Sequence, residues 1–259
     1  MNYIQLAQSV IAIAQEAGKV ILEIYNSDDF GIETKGDQSP LTLADKAAND
    51  VICRGLQALS VQYPIVSEEN KAIPYSERKL YDYLWLVDPL DGTKEFIKRN
   101  GEFTVNIALI HQQCPIFGVV HVPCFDETYW SAPGVGAFLE KNGQQQALQV
   151  AEFQLKDAGL KLISSRSHLN EETAAFINQF EAPELVSKGS SLKFLILAQG
   201  EAHIYPRLAP TMEWDTAAAQ AVLEAAGGKV IKHENGEALQ YNKENLLNPY
   251  FIAYGKVLA

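Results

Sequence analysis

Basic residues are in the minority in this chain. Its 21 Lys and Arg stand against 32 Asp and Glu, a formal net charge of −11. That balance argues against broad nucleic-acid binding, which draws its affinity from cations that neutralise phosphates. Cysteine is scarcer still: Cys53, Cys114 and Cys124 make an odd set of 3 with no CxxC spacing. No disulfide framework is expected, and a reducing cytoplasm is the natural setting. His121 and Cys124 form an isolated H-x-x-C without the second pair that a zinc site needs. No apolar run approaches the ~18 residues of a membrane span, and the start MNYIQLAQSV has neither a basic region nor a cleavage pattern. Repeats and low-complexity tracts are missing, and Gly134-x-Gly136 lacks the third glycine and the strand-turn-helix context of a dinucleotide fingerprint.

What is present is a 259-residue chain, 47% hydrophobic, enough for one large α/β domain or two halves sharing a core. Residues 3–25 carry an amphipathic helical stripe (Ile4, Ala7, Ile11, Ala14, Gly18, Ile21, Tyr25), and Thr42 opens a second helix with Asp45 in capping-box position. Lys35 sits in the loop between them, an exposed lysine that can reach an anion. Ile65-Val66 reads as a short strand ending at Glu68-Glu69, followed by a charged, mobile stretch from Lys71 to Lys79. FTVNIALI, PIFGVVHV and the runs after Asp126 predict a largely antiparallel sheet under a helix layer, so residues 1–150 form an N-terminal α+β half. After a join between Gln144 and Gly159, strands and helices alternate through 151–259: KLISS, a helix from Asn170 through Phe180, LVSKG, a helix from Ser190, AHIYP, and an Ala-rich helix closed by Gly227-Gly228.

Most of the chemistry gathers in Trp85–Phe96, WLVDPLDGTKEF. The apolar run ends at Asp88, and Pro89 forbids its continuing as an ordinary paired strand. Asp91 follows three positions later, Gly92 allows a tight turn, and Thr93 is placed to cap a helix from Lys94. Carboxylates are the hard ligands that Mg²⁺ prefers, and a helix start attracts phosphate. A D-x-x-D spacing is also ordinary turn chemistry, so alone the stretch leaves both readings open. LDGT after a strand is shared with haloacid dehalogenase phosphatases, but their nucleophilic Asp lies two residues before the second Asp, where this chain has Pro89. No phosphoaspartyl intermediate can form there. Glu68 or Glu69 at a strand end, and Asp215 at the start of the Ala-rich helix, are further candidate ligands; a solvated loop and a helix-dipole acid are their ordinary alternatives.

Taken together, Asp45, Glu68-Glu69, the DPLDGT of Asp88–Thr93, Trp214-Asp215 and Gly227-Gly228 form an ordered pattern. It resembles the lithium-sensitive, Mg²⁺-dependent phosphomonoesterases of the inositol monophosphatase superfamily, across nearly the whole chain. The resemblance implies an α/β fold, a layered αβαβα sandwich, and metal ligation by Glu68, Asp88, the Leu90 carbonyl, Asp91 and Asp215, with two or more Mg²⁺ ions and inhibition by Li⁺. It also implies that Thr93 and Asp45, with Glu69 as a helper, orient or deprotonate an attacking water.

DGTKEF, SRSH (Ser165 to His168), KGSSLKF (Lys188 to Phe194) and YPR (Tyr205 to Arg207) are similar to the 3′(2′),5′-bisphosphate nucleotidase branch. Ala219 departs from it, standing where relatives often carry Gly; Ala is a good helix former, so little consequence is expected. The branch implies release of phosphate from 3′-phosphoadenosine 5′-phosphate to leave AMP, in support of sulfur assimilation. Substrate would meet Glu68, Leu90, Asp91, Gly92, Thr93 and Asp215, with Lys188, Ser190, Lys193 and Arg207 as candidates for the remaining phosphate and ribose. Inositol monophosphate, a sugar bisphosphate, and a silent metal- or phosphate-binding module are the competing readings. The expected state is a monomer or homodimer with no transmembrane segment, cytoplasmic, with the resemblance hinting at peripheral attachment on the cytoplasmic face of the inner membrane.

Overall fold

The computed structural model describes residues 2–27, 31, 33–34, 40–164 and 170–259; Lys35 and Ser165 to His168 lie outside the described residues. Five layers stack as an αβαβα sandwich. Helices Tyr3–Tyr25 and Leu43–Gln57 pack on each other and on one face of a seven-stranded sheet. That sheet runs in chain order from Ile65–Ser67 through Tyr83–Asp91, Thr104–His111, Cys114–Val122, Glu127–Ala132 and Gly136–Lys141 to Gln144–Ala147. Its first pair is parallel and every other pair antiparallel. Helices Leu192–Ala198 and Glu213–Ala225 form the middle layer. Beyond them lies a mixed five-stranded sheet, in the order Glu184–Ser187, Lys161–Ser164, Ile204–Arg207, Phe251–Tyr254, Lys229–Lys232. Helix Glu171–Ile177 covers its far side, where Phe176 and Ile177 pack with Leu162, Ile204 and Ile252. The 144–159 join holds the last strand of the first sheet, then Glu152–Phe153, which pairs with Lys256–Val257.

Burial on both faces explains the unbroken apolar runs. In Tyr83–Asp91, Trp85 and Val87 point into the cluster under the outer helices, while Leu84 and Leu86 join the cluster around the middle helices. The first helix is capped by Asn2, whose side chain accepts from the Gln5 amide. Leu6, Val10 and Ala17 widen its buried stripe, whereas Ile4, at its exposed edge, is 54% accessible. In the second helix the buried apolar face is Ala44, Ala48, Ile52 and Leu56.

Three expectations change. The 71–79 stretch is built in, with a helical turn at Tyr75–Arg78. Arg78 is buried and donates to Asn242 Oδ1 at 2.7 Å and to the Ile73, Lys243 and Glu244 carbonyls. The helix expected from Ser190 starts at Leu192, because Ser190 takes a left-handed φ of +50° and Ser191 occupies the cap position. The helix capped by Asn170 ends at Ile177, not Phe180, with Asn178 as its C-cap. The 3 cysteines are free thiols, and among the described residues no helix is long and apolar enough to cross a membrane.

His121 pairs its Nδ1 with Thr128 Oγ1 at 2.9 Å in the buried sheet, and burial pushes its pKa down to about 4. The unfolded chain takes up this proton near pH 6.5, so the stabilisation is complete above that pH and is lost as pH falls from 6.5 to about 4. Its span is about 3 kcal/mol. Urea unfolding of His121→Gln is therefore expected to show a smaller loss of stability between pH 7 and pH 4.5 than the parent; parallel losses would contradict this.

Candidate metal and phosphate site

A D-x-x-D spacing is odd, so on a regular strand its two carboxylates would project to opposite faces. The structure removes that difficulty with a β-bulge. Asp88 is opposite Asn106 and Asp91 is opposite Thr104, three steps on one strand against two on its neighbour. Pro89 and Leu90 lie in that irregularity, and the strand, which was expected to stop at Asp88, runs on to Asp91. The extra residue flips the alternation, so both carboxylates share the face of Thr104 and Asn106, the one covered by the middle helices. Asp88 turns back locally, its Oδ1 accepting from the Leu90 amide at 3.0 Å.

Two other elements deliver acids to the same place. Glu68 follows the strand Ile65–Ser67, which lies parallel to Tyr83–Asp91, and its amide is bonded to the Val87 carbonyl. Asp215 lies in the first turn of Glu213–Ala225, where its Oδ2 accepts from the Met212 amide at 2.9 Å. Ligand atoms of Glu68, Asp88 and Asp215 all lie within 4.8 Å of one another. Asp91 falls outside that trio but is close enough to act on it. The Asp88 carboxyl is pushed well above the usual carboxylate range, first by burial and then by Glu68, Asp91, Asp215 and Asp45. Burial and then Asp91 and Glu68 push Asp215 up to about 8, against the lowering by the Met212 amide. Buried carboxylates that oppose one another need a cation of high charge, and an all-oxygen donor set suits Mg²⁺. The residues fit a divalent ion.

Gly92 adopts φ +96°, and a Cβ there would stand 3.2 Å from both the Glu102 carbonyl and Ser190 Cβ. Gly92, not Thr93, is the cap of a five-residue helix, Thr93–Ile97. Thr93 Oγ1 lies 3.4 Å from Asp45 Oδ1 and 3.4 Å from the Leu90 carbonyl. Asp45 meanwhile caps its own helix through Oδ2, which accepts from the Thr42 amide and hydroxyl at 2.8 and 2.6 Å. Its two oxygens thus serve two different partners. The Glu69 amide donates to Ser67 Oγ at 3.3 Å, and its side chain is not one of the clustered three.

A cleft of about 270 Å³ opens from Asp91 and Asp215. Lys193 and Arg207 line it as expected, joined by Lys94 of the DGTKEF run and by Lys98, which no motif marks. Lys193 Nζ donates to the Ser190 carbonyl at 3.0 Å and sits 5.9 Å from the Tyr205 ring centre. Arg207 Nη2 donates to the Pro210 carbonyl, while its Nε is buried with no hydrogen-bond partner among the described residues. Lys188 is directed elsewhere, to Glu102 at 3.7 Å. Ser190 lines the cleft, but its hydroxyl is bonded to Asp91.

The sequence matches the inositol monophosphatase family over residues 3–255. The chain belongs to that family. It is 43% identical over 249 residues to the 3′(2′),5′-bisphosphate nucleotidase CysQ of Salmonella typhimurium, covering 95% of this chain and 98% of the relative. Against the protein of the same name from Escherichia coli K12 it is 44% identical over the same shares. A crystal structure of CysQ from Bacteroides thetaiotaomicron, described as a bacterial member of the inositol monophosphatase family, superposes with a TM-score of 0.86 at 42% identity over 97% of each chain. The family's αβαβα fold is the one described above.

Proposed function

We propose that this chain is a Mg²⁺-dependent phosphomonoesterase that hydrolyses 3′-phosphoadenosine 5′-phosphate to AMP and inorganic phosphate, in the cytoplasm and in support of sulfur assimilation. One observation carries this reading: Asp91 and Asp215, the latter a member of the acid trio, open onto a cleft walled by Lys94, Lys98, Lys193 and Arg207. An inositol monoester carries one phosphate and has no use for four cations beyond the metal site. A nucleoside bisphosphate has a second phosphate to place there. The relatives at 43–44% identity carry the corresponding name.

Mg²⁺ would be held by Glu68, Asp88, the Leu90 carbonyl, Asp91 and Asp215, with two or more ions in all. Bound there, it draws charge from phosphate oxygens and lowers the pKa of water. The chain's own residues then divide the work. Gly92 and Thr93 offer amides to the phosphate being transferred. The Thr93 hydroxyl and the Asp45 carboxylate align the attacking water and take up its proton, with Glu69 beside Glu68 as a second acceptor. Lys193 and Arg207, helped by Lys98, hold the 5′-phosphate, while Lys188 anchors its own segment through Glu102. Li⁺ is expected to inhibit by competing at the acid cluster.

The test is phosphate release from 3′-phosphoadenosine 5′-phosphate, inositol 1-phosphate and fructose 1,6-bisphosphate under identical Mg²⁺. The nucleotide is expected to lead in kcat/KM by ~10⁴-fold, the scale on which a site built for polar groups rejects substrates lacking them. Equal or faster turnover of the inositol ester would overturn the substrate assignment while leaving the metal site standing.

A further inference from the structure

Behind Asp91 lies a web of hydroxyls that no substrate contact requires. Asp91 Oδ2 accepts from Ser190 Oγ at 2.6 Å and from Ser191 Oγ at 3.0 Å. Ser190 Oγ is 2.7 Å from Thr104 Oγ1, which also reaches Asn106 Oδ1 at 3.0 Å. Asn106 Nδ2 donates to Ser191 Oγ at 3.0 Å, and Ser191 Oγ lies 2.8 Å from the Asp215 carbonyl. Thr104 and Asn106 are the residues opposite Asp91 and Asp88 across the bulge. The web therefore joins the strand that carries two of the acids to the start of the helix that carries Asp215. Thr104, Asn106 and Ser191 are almost wholly buried.

We infer that Ser190 and Ser191 are positioning residues for the metal site: they hold Asp91 by one oxygen and so leave the other turned to a cation. The inference rests on the metal-site reading above. Asp91 Oδ1 has no hydrogen-bond partner among the described residues, while two hydroxyls lie within hydrogen-bond distance of Oδ2. A carboxylate gripped at one oxygen loses rotational freedom, so a ligand needs less ordering when the ion arrives. Ser191 does more than grip: its single proton has two acceptors, the Asp91 carboxylate and the Asp215 carbonyl, so it sets the distance between two ligand-bearing elements. Gly189 supports the pair from the far side, its amide donating to Glu102 Oε2 at 2.8 Å. A Cβ at Gly189 would stand 3.0 Å from the Glu102 carbonyl, so the segment is held close to the Gly92 turn.

The experiment uses the full chain freed of divalent ions by chelator, into which Mg²⁺ is titrated in a calorimeter, with no substrate present. Ser191→Ala is expected to weaken Mg²⁺ binding by ~10–100-fold, the usual effect of removing an outer partner of a metal ligand. Phosphate release lost at low Mg²⁺ should return as Mg²⁺ is raised, and Ser191→Thr, which keeps the hydroxyl, should restore most of the affinity. Ser190→Ala, at a half-exposed position, gives the same readout if Ser191→Ala does not fold. Wild-type Mg²⁺ affinity in the alanine variants, with only KM for the nucleotide raised, would mean that the serines touch substrate and would overturn the inference alone. A parent chain that takes up no Mg²⁺ would overturn it together with the metal site.

Discussion

Asp88→Asn is expected to cut phosphate release by at least ~10³-fold while making the chelator-treated protein more stable. The two effects have one cause. Asp88 is 2% exposed and shares its surroundings with Glu68, Asp91, Asp215 and Asp45. Without a cation, its charge is desolvated and repelled, which costs free energy of order 1–3 kcal/mol for a polar group left uncompensated in a protein interior. Asn keeps the shape and still offers an oxygen to the Leu90 amide, so the fold is preserved and the repulsion is removed. A rise of about 2–12 °C in melting temperature follows for a domain of this size. Catalysis moves the other way, because the ion contributes several kcal/mol of transition-state charge stabilisation and each 1.36 kcal/mol is tenfold. Activity within tenfold of the parent, or a lower melting temperature in chelator, would contradict the assignment of Asp88.

The second large effect lies away from the acids, at Gly118. A Cβ built there would stand 2.2 Å from the Ala218 carbonyl oxygen and 3.0 Å from its Cα, so the helix Glu213–Ala225 touches the sheet through its backbone. That approach is why the helix is rich in alanine: Ala217, Ala218 and Ala219 are buried, and only small side chains allow two backbones so near. Gly118→Val would have to push the helix off the strand. The expected cost exceeds about 4 kcal/mol, the range reserved for gross overpacking, which is a loss of ~10 °C or more in melting temperature. Because the same helix carries Asp215, folded Gly118→Val protein should also have lost most of its Mg²⁺ affinity. A melting temperature within 3 °C of the parent would show that the contact yields easily.

Much of this site was legible before folding, because acids that end apolar strands or begin helices stand out against buried neighbours. Glu68, Asp88 and Asp215 were each visible in that way, and the order of the blocks pointed to the superfamily. The bulge was not legible. Pro89 announced that ordinary pairing would fail, but not that the strand would resume with its alternation flipped, which depends on the register of Thr104–His111. Thr104 and Asn106 did leave a signal: two polar residues at alternate positions in an otherwise apolar strand mark one face as having something polar to meet. The boundary at Ser190 was missed because a left-handed serine looks, in sequence, like a good N-cap. Lys98 was missed because an exposed lysine just past the end of a short helix has no periodicity to flag it. Arg78 was misplaced for a related reason: charge density suggested solvent, whereas its guanidinium is satisfied by carbonyls from the distant 242–244 loop.

The most direct measurement is phosphate release from 3′-phosphoadenosine 5′-phosphate by the chelator-treated chain, with Mg²⁺ then added back stepwise. Release should be absent in chelator and should rise saturably with Mg²⁺. The Asp88→Asn chain should stay inactive at every concentration. Turnover that persists in chelator, or that Asp88→Asn recovers, would contradict the claim that these carboxylates work by holding a metal ion.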